Sequence, residues 1–443
     1  MFKSSTQASS NLIHRRDFLH RGALAGGALV ASLSAARFAH AASGNGPLKL
    51  ALVGGGGRGS GAANQALNTG KPLELVAVAE LFKEKADGAI ASLKAAHPDK
   101  VNVPEERIFL GFDGYKQAIA ACDVVILASP CAFRPPMFEE AVRQGKHVFM
   151  EKPVAVDAPG IRQVLAAAEE AKKKNLKVGV GLQRRHKLGY REAVKRVQDG
   201  ALGQILYART FWNMGTARAM KHNPAWSELE FQLNNQFYFA WQCGDIHVDM
   251  GLHNIDVINW IKGMYPVRAM GVAGAEVRRG KDAGSIFDHF SIEYEYEDGT
   301  HLFAQNRQIP GCHNYVAECA HGTKGSVEMI NERNMFTITG ENAWKYEPER
   351  PTVNPYQLEH DDLFAAIFND TPYNEAERGA LSTMTSIMGR MAGYSGKKIE
   401  LKDALNSSLS FAKVPTSLQD APPILPDENG VYPLPVPGRY NPI

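Results

Sequence analysis

The stretch LKLALVGGGGRGSG, residues 48–61, runs from apolar side chains directly into a cluster of glycines. Its apolar part has the composition of a buried parallel strand, and the residues from Arg58 onward are typical of the start of a helix. Gly54, Gly56 and Gly59 are spaced as G-x-G-x-x-G. Glycines at this spacing allow a tight turn, a close approach of the backbone to a pyrophosphate, and close packing of the helix on the strand. The stretch therefore predicts a strand, a phosphate-binding turn and a helix.

A second apolar run supports this interpretation. It is LELVAVA, residues 73–79, and it ends at Glu80, which lies 21 residues after Gly59. A carboxylate about 20 residues beyond the glycine motif is expected to accept hydrogen bonds from a ribose diol. The alternative is a glycine-rich surface loop followed by a solvated glutamate. The second strand in the correct place argues for a dinucleotide-binding unit instead.

Composition excludes several classes of function. The chain has 443 residues, of which 44% are hydrophobic and 22% charged, and it is long enough for two or three domains. A net charge of +2, without an arginine-rich run, gives no reason to expect a nucleic acid partner. The five cysteines are scattered and lack C-x-x-C spacing, which predicts neither a disulfide framework nor a zinc site, although a pairing of Cys312 with Cys319 stays open. We expect no metal.

The first 41 residues have the pattern of a twin-arginine export signal. Arg15 and Arg16 precede a weakly apolar run at 22–33, and Ala39-His40-Ala41 is an A-x-A cleavage site. An ordinary secretory signal or a retained anchor is the alternative, and the paired arginines argue against both. We therefore expect a periplasmic protein that uses the twin-arginine translocase and has no membrane association after cleavage.

Two domains and a tail follow the signal. Residues 46–182 alternate six strands with helices, which predicts a doubly wound parallel (Rossmann) sheet with ligands at the carboxyl ends of its strands. Residues 183–412 contain mostly consecutive strands, which predicts an α+β domain with a largely antiparallel, open sheet. We expect one face of that sheet to be covered by helices and the other to mediate homo-oligomer formation. The tail, residues 413–443, is rich in proline and is expected to be an extended strap.

Five segments together resemble the Gfo/Idh/MocA family of sugar and polyol oxidoreductases. They are VGGGGRG (53–59), Glu80, ASP (128–130), GKHVFMEKP (145–153) and DMGLHNID (249–256). The resemblance extends from about residue 47 to about residue 395. It implies a bound NAD(H), for which the expected cofactor-binding residues are Gly54, Gly56, Arg58, Gly59, Glu80, Ser129, Pro130, Glu151 and Lys152. Family members often carry a histidine where this chain has Arg134, so the identity of the substrate does not transfer.

Three residues are candidates for the chemistry. Lys152 follows a strand where the reactive carbon of a nicotinamide is expected, and the matching family lysine is catalytic or orients the substrate. Asp249 and His253 are four residues apart, so on a helix they share a face. The histidine would move the proton of an alcohol, and the aspartate would orient it. The alternatives are a solvated loop lysine, a capping aspartate and a core histidine.

Arg185 is a further candidate. It follows the sixth predicted strand, near which the family often places an arginine pair, and it would hydrogen-bond sugar hydroxyls together with Lys152, Asp249 and His253. A solvated basic pair is an equal alternative for this position.

These residues predict an NAD(H)-dependent oxidoreductase that transfers hydride between a secondary hydroxyl of a sugar or glycoside and a tightly bound cofactor. Glu80 would repel the 2′-phosphate of NADP, which favours NAD, whereas Lys83 and Arg58 are close enough in sequence to weaken this preference. Two alternatives remain. One is an NAD-dependent glycoside hydrolase that uses transient oxidation and elimination, and the other is a carbohydrate-binding protein without turnover.

Overall fold

The computed structural model describes residues 46–215, 220–348, 352–411 and 414–443. The predicted export signal, residues 1–41, lies outside these residues. Both β-sheets of the protein belong to the unit Gly46–Ile443.

The first part of the described chain alternates strands with helices. In order these are β1 (Leu48–Val53), α1 (Gly57–Leu67), β2 (Leu73–Glu80), α2 (Lys83–Ala96), β3 (Ile108–Leu110), α3 (Gly114–Ala120), β4 (Val124–Leu127), α4 (Arg134–Arg143), β5 (His147–Met150), α5 (Ala158–Lys173) and β6 (Val178–Val180). The strands pair in parallel in the order β3-β2-β1-β4-β5-β6. The order reverses between β1 and β4, as in a doubly wound sheet. The predicted Rossmann sheet is confirmed.

The second part of the described chain contains the larger sheet. Its elements are α6 (Leu188–Gln198), β7 (Ile205–Met214), α7 (Glu228–Asn234), α8 (Ala240–Cys243), α9 (Ile246–Asp249), α10 (Leu252–Lys262), β8 (Arg268–Gly274), β9 (His289–Glu295), β10 (His301–Gln308), β11 (Tyr315–Gly322), β12 (Gly325–Ile330), β13 (Met335–Gly340), β14 (Trp344–Lys345), α11 (Pro355–Phe368), α12 (Ala376–Ser395), β15 (Ile399–Glu400) and α13 (Leu401–Asn406). The sheet order is β14-β13-β12-β11-β7-β10-β9-β8-β15.

This second sheet is largely antiparallel, as predicted, with one exception. Strand β7 lies between β10 and β11, and it is parallel to β10 and antiparallel to β11. Because β10 and β11 run in opposite directions, a strand placed between them must be parallel to one of the two. The sheet is therefore mixed.

Helices from the second part complete the first sheet. Leu363 and Phe364 on α11 are fully buried and share an apolar cluster with Leu50 and Leu52 of β1. Helix α12 packs against both α5 and β8, so it touches both halves of the chain. The burial of α11 and α12 therefore fixes the two sheets relative to each other.

The segment around Asp249 differs from the prediction. The sequence predicts one helix over residues 246–262, whereas the structure has α9 and α10 separated by Met250 and Gly251. A β-carbon on Gly251 would lie 2.6 Å from the backbone oxygen of His247 and 2.8 Å from Oδ1 of Asn306 on β10. A glycine at this position leaves room for the Asn306 side chain, and Asp249 and His253 lie on two separate helices.

The open face of the second sheet carries exposed apolar side chains. Val272 is 69% exposed, Phe303 40% and Tyr207 37%. Helices α6, α10 and α12 cover the opposite face. Homo-oligomer formation through the exposed face stays a prediction.

The tail, described over residues 414–443, has no regular helix or strand and lies along the second part of the protein. All five cysteines are free, so Cys312 and Cys319 do not form a disulfide. None of the helices in the described ranges has the length and apolar character needed to cross a lipid bilayer.

Candidate functional site

The glycine loop between β1 and α1 has the geometry of a phosphate site. Gly54 has φ +96°, and a β-carbon there would lie 2.6 Å from the backbone nitrogen of Ser129. A β-carbon on Gly59 would overlap with the carbonyl oxygen of Gly54. Around Gly56, in contrast, no atom lies within 4 Å of such a carbon. The loop therefore leaves open space at Gly56, directly before the first turn of α1, where no side chain caps the helix and its N–H groups favour an anion.

Glu80 stands beside this loop at the end of β2. Its Oε2 accepts a hydrogen bond of 2.6 Å from the backbone N–H of Gly55. Within the described chain, its other oxygen has no protein hydrogen-bond partner. Glu80, Gly54 and Gly56 line one pocket with a volume of about 300 Å³, which is within the range of small-molecule sites. A ribose diol next to a pyrophosphate fits this arrangement.

Two lysines line the same pocket. They are Lys85, from α2, and Lys221. Burial is the main cause that lowers the pKa of Lys85, and the charge of Lys221 adds to it, whereas Glu80 opposes it. Lys83, which the sequence places near Glu80, instead pairs with Asp87 at 2.8 Å and with Glu105 at 3.3 Å. The cations that face the pocket are therefore not those expected from sequence proximity.

Arg58 and Glu151 form an ion pair. Nε of Arg58 lies 2.8 Å from Oε1 of Glu151, which is buried. The Arg58 guanidinium also lies 4.8 Å from the ring centre of Tyr356. Burial first, and then the charge of Glu151, raises the pKa of Glu359, next to the pair, well above its usual value. Arg58 and Glu151 were both predicted to contact the cofactor. The structure joins them to each other, with Arg58 at the start of α1 and Glu151 directly after β5.

Ser129 and Pro130 lie at the end of β4, where both line the pocket. The side chain of Arg134, which is 2% exposed, hydrogen-bonds the backbone oxygens of Ser129 and Pro153. Arg134 therefore holds the turn after β4 to the turn after β5. Its only signal in the sequence is the replacement of the histidine that is common in the family.

Lys152 reaches from the end of β5 to the end of α9. Its Nζ donates a 2.7 Å hydrogen bond to the backbone oxygen of Asp249 and lies 3.4 Å from Oδ1 of the same residue. Only 14% of the Lys152 side chain is exposed. The ammonium group of a lysine has three N–H donors. Two of those of Lys152 face Asp249, so one N–H remains for a substrate hydroxyl. The structure thus pairs Asp249 with Lys152, and in the described chain no hydrogen bond joins Asp249 to His253.

His253 is buried at the start of α10. Its ring stacks on Trp212 with the centres 5.9 Å apart, and its Nδ1 is buried without a hydrogen-bond partner among the described residues. Burial first, and then the charges of Lys152 and Arg184, lowers the pKa of His253 well below its usual value. The imidazole is therefore neutral, which is the form that accepts a proton.

Arg184 and Arg185, which follow β6, form ion pairs with two different carboxylates, those of Glu318 and Asp256. Arg185 donates two hydrogen bonds of 2.8 Å each to the carboxylate of Asp256, one from Nε and one from a terminal guanidinium nitrogen. This contact argues against the predicted role of Arg185 in binding sugar hydroxyls. Arg184 is the arginine close to His253, and it forms a buried ion pair with Glu318.

Glu318, on β11, is a site residue that sequence reasoning missed. It is fully buried and accepts hydrogen bonds from Tyr190 at 2.7 Å and from Asn254 at 2.6 Å, in addition to the pair with Arg184. Burial raises the pKa of Glu318 to about 7, and Arg184 opposes this shift. The charged residue inside the apolar run YVAECA was the signal available in the sequence.

A glycine loop at the end of β1, a carboxylate beside it at the end of β2, and a lysine beside a neutral histidine form the pattern typical of dinucleotide-dependent oxidoreductases. Two family models match the chain: "Oxidoreductase family, NAD-binding Rossmann fold" at residues 48–181, and "GFO/IDH/MocA C-terminal domain" at residues 190–328. Together they span more than half of the chain. The protein belongs to the Gfo/Idh/MocA family, which confirms the resemblance found in its motifs.

Curated relatives are distant. The inositol 2-dehydrogenase of Rhizobium meliloti is 24% identical over 65% of this chain and 76% of its own length. A glycosyl hydrolase family 109 protein of Shewanella putrefaciens is 26% identical over 44% of this chain and 45% of its own length. The chain thus spans less than half of that second relative.

Solved structures share the fold. The scyllo-inositol dehydrogenase of Lactobacillus casei, with bound NAD(H) and scyllo-inositol, has a TM-score of 0.60 and 22% identity, covering 80% of this chain and 99% of that one.

Within the described residues, no group of three or more potential ligands could hold a metal ion.

The open space at Gly56 makes a specific prediction. Because Gly56 has φ −69° and free surroundings, alanine fits the folded chain there and should leave its melting temperature within a few degrees. The added methyl group would occupy the space assigned to the pyrophosphate, so the Kd for NADH, measured by fluorescence titration, should rise by about tenfold or more. Gly88→Ala, on α2 and also without close neighbours, is the control and should bind NADH normally. Unchanged affinity in Gly56→Ala would place the phosphates elsewhere.

Proposed function

We propose that the protein is an NAD(H)-dependent oxidoreductase that acts on a secondary hydroxyl of a sugar or glycoside. The observation that carries this proposal is the neutral His253 next to Lys152. Lys152 follows β5 at the same edge of the parallel sheet as the glycine loop that follows β1. A lysine N–H and a neutral imidazole at one place are a donor and an acceptor for the same hydroxyl.

The bound nicotinamide would accept or return the hydride. Lys152 donates a hydrogen bond to the reacting oxygen, and its contact with Asp249 fixes the direction of the ammonium. His253 takes the hydroxyl proton as the carbonyl forms, and it returns that proton in the reverse direction. Trp212 stacks on the imidazole, Arg184 lies over the other ring of this stack, that of Trp212, and His253 is buried. Asp249 is a positioning residue in this scheme, because it acts through Lys152.

A second candidate is a glycoside hydrolase that uses transient oxidation. It is favoured by one observation, the similarity to the family 109 glycosyl hydrolase protein over nearly half of that protein. In this reaction a ring carbon would lose hydride to the nicotinamide and a proton to the same residues, and loss of the proton next to the new carbonyl would then expel the aglycone. Water would add to the resulting double bond, and the hydride would return to the carbonyl, which gives the free sugar. Neither reaction releases net NADH when the cofactor stays bound.

The proposed roles predict the effect of two substitutions. Lys152→Ala and His253→Ala should each slow the chemical step by about 100- to 10,000-fold, because a positioned acid or base contributes that much. Both variants should still bind NADH, since neither side chain lines the pocket at Glu80. Single-turnover measurements with holoprotein and a panel of sugars and glycosides would report the step directly.

Matched controls exist for both substitutions. Lys146 lies at the opposite end of the same strand, and His313 is exposed near β11. Lys146→Ala and His313→Ala should keep the chemical step. A ketosugar or a reduced acceptor would identify the dehydrogenase, and a free sugar with solvent deuterium at C2 would identify the hydrolase. Full activity in Lys152→Ala would refute both, and cofactor binding without any product would favour the carbohydrate-binding protein without turnover.

We further propose that the cofactor is NAD(H) rather than NADP(H). Glu80 would accept hydrogen bonds from both ribose hydroxyls and repel a 2′-phosphate. Glu80→Ser should therefore narrow or reverse the preference for NADH over NADPH, because Lys85 and Lys221 remain to attract the 2′-phosphate of NADPH. Ratios of Kd for NADH and NADPH would measure the change. The control is the triple variant Glu80→Ser, Lys85→Ala and Lys221→Ala, which should lose the gain in NADPH binding. If Glu80→Ser leaves the selectivity between NADH and NADPH unchanged, the role of Glu80 is contradicted.

Export by the twin-arginine route is also proposed, on the pattern of residues 1–41 alone. A nicotinamide cofactor is not expected free outside the cytoplasm, so the chain should fold and bind it before crossing the membrane. Arg15→Lys combined with Arg16→Lys should retain the precursor inside the cell, as fractionation and immunoblotting would detect. Normal secretion of this double variant would exclude the route.

A further inference from the structure

The pocket beside Glu80 has a second wall that comes from outside the Rossmann sheet. One wall consists of the aromatic side chains Phe82, Phe112, Tyr115 and Phe133, from the loops and helices around β2, β3 and β4. The opposite wall consists of Lys221 and residues 233–238, which belong to the second part of the chain. The family motifs in the sequence do not include this second wall.

The position of the pocket identifies the part of the cofactor that it faces. It begins at Gly54 and Gly56, passes Glu80 and continues toward Gly111 and Phe112 at the end of β3. Lys152 and His253 do not line it. With the phosphates at the glycine loop and a ribose at Glu80, the ring beyond that ribose must be the adenine. Aromatic side chains on both sides suit a flat base.

The second wall is held in place by hydrogen bonds among its own residues. Helix α7 begins with a capping box, in which Ser227 and Glu230 exchange hydrogen bonds with each other's backbone N–H groups. The Asn235 side chain then accepts a hydrogen bond from the backbone nitrogen of Lys221 at 2.7 Å and donates one to its backbone oxygen at 2.9 Å. Asn235 thereby joins the two chain segments that face the pocket.

The tail holds this wall from behind. Gln232, fully buried on α7, donates a 2.7 Å hydrogen bond to the backbone oxygen of Ile424 and accepts one of 2.8 Å from Trp241. The Trp241 ring contacts Phe133 of the opposite wall, with the ring centres 6.1 Å apart. A connected path therefore leads from the tail through α7 to the aromatic side of the pocket.

Tyr432 provides the second attachment of the tail. Its hydroxyl donates a 2.5 Å hydrogen bond to Glu228 at the start of α7, and its ring packs edge-on against Phe239 at 5.1 Å. Tyr432 is 6% exposed, although it lies in a segment without regular secondary structure. Burial of an aromatic side chain of this size stabilises the attachment of the tail to α7.

We propose that residues 221 and 233–238 form the outer half of the adenosine-binding site, and that the tail braces this wall so that the dinucleotide leaves slowly. The inference rests on the proposed use of a nicotinamide dinucleotide and goes beyond it, because it assigns cofactor retention to the second part of the chain. A retained cofactor is what a reaction without release of NADH requires.

The test is a release assay on the full-length holoprotein. Bound NADH is displaced with excess ADP-ribose, and bound radiolabelled ADP-ribose is displaced with excess unlabelled ADP-ribose. Tyr432→Ala should speed the release of both ligands by about tenfold, since changes at an interface act mainly on dissociation. Tyr432→Phe, which removes only the hydrogen bond to Glu228, should speed it by about threefold. Leu425→Ala, next to Ile424 but 59% exposed, is the control and should release both ligands at the wild-type rate.

Three results would overturn the inference. The first is unchanged release in Tyr432→Ala when limited proteolysis shows that its tail has detached. The second is faster release of NADH without faster release of ADP-ribose, because the wall would then act on the nicotinamide half. The third is equal acceleration in Leu425→Ala. A wild-type protein that retains NADH but oxidises no sugar would refute the proposed function alone, since the release assay needs no substrate.

Discussion

The hydrogen bond from Lys152 to the backbone of Asp249 is the contact on which the chemical half of the site depends. It joins residues 97 positions apart, one at the end of β5 and the other at the end of α9. Because the acceptor is a backbone carbonyl, the bond fixes the path of the chain just before it turns at Met250 and Gly251 into α10. His253 therefore receives its position from the same bond that directs the ammonium. Arg134 restrains the other side of Lys152 through the carbonyl of Pro153.

Burial determines which groups near the site carry charge. His253 is neutral because it is desolvated beside two cations, and desolvation beside Glu151 raises the pKa of Glu359. Arg185 forms an ion pair of 2.8 Å with Asp256, and Arg58 forms one of 2.8 Å with Glu151. The buried carboxylates of Asp256 and Glu151 are therefore each matched by an arginine.

The sequence predicted the first sheet almost element by element, because the glycine loop, the apolar strands and Glu80 are local patterns with a fixed spacing. It placed Lys152, Asp249 and His253 in one site and paired Asp249 with His253 on helical spacing. The structure has two helices there, α9 and α10, and the hydrogen bond of Lys152 to the Asp249 carbonyl joins segments that no local pattern relates. Arg134, Glu318 and the wall at residues 233–238 depend on contacts between distant segments, so no local pattern marks their roles. The capping box at Ser227 was a visible signal for α7 but did not reveal what the helix faces.

The burial of α11 against β1 bears on the order in which the protein becomes functional during its synthesis. Leu363 and Phe364 cover Leu50 and Leu52, so the sheet that carries the glycine loop lacks part of its covering until more than three hundred further residues have left the ribosome. A nascent chain that ends after β6 exposes an apolar surface on its central strand. The sheet that carries the glycine loop therefore receives its full covering only late in synthesis, after α11 has been made.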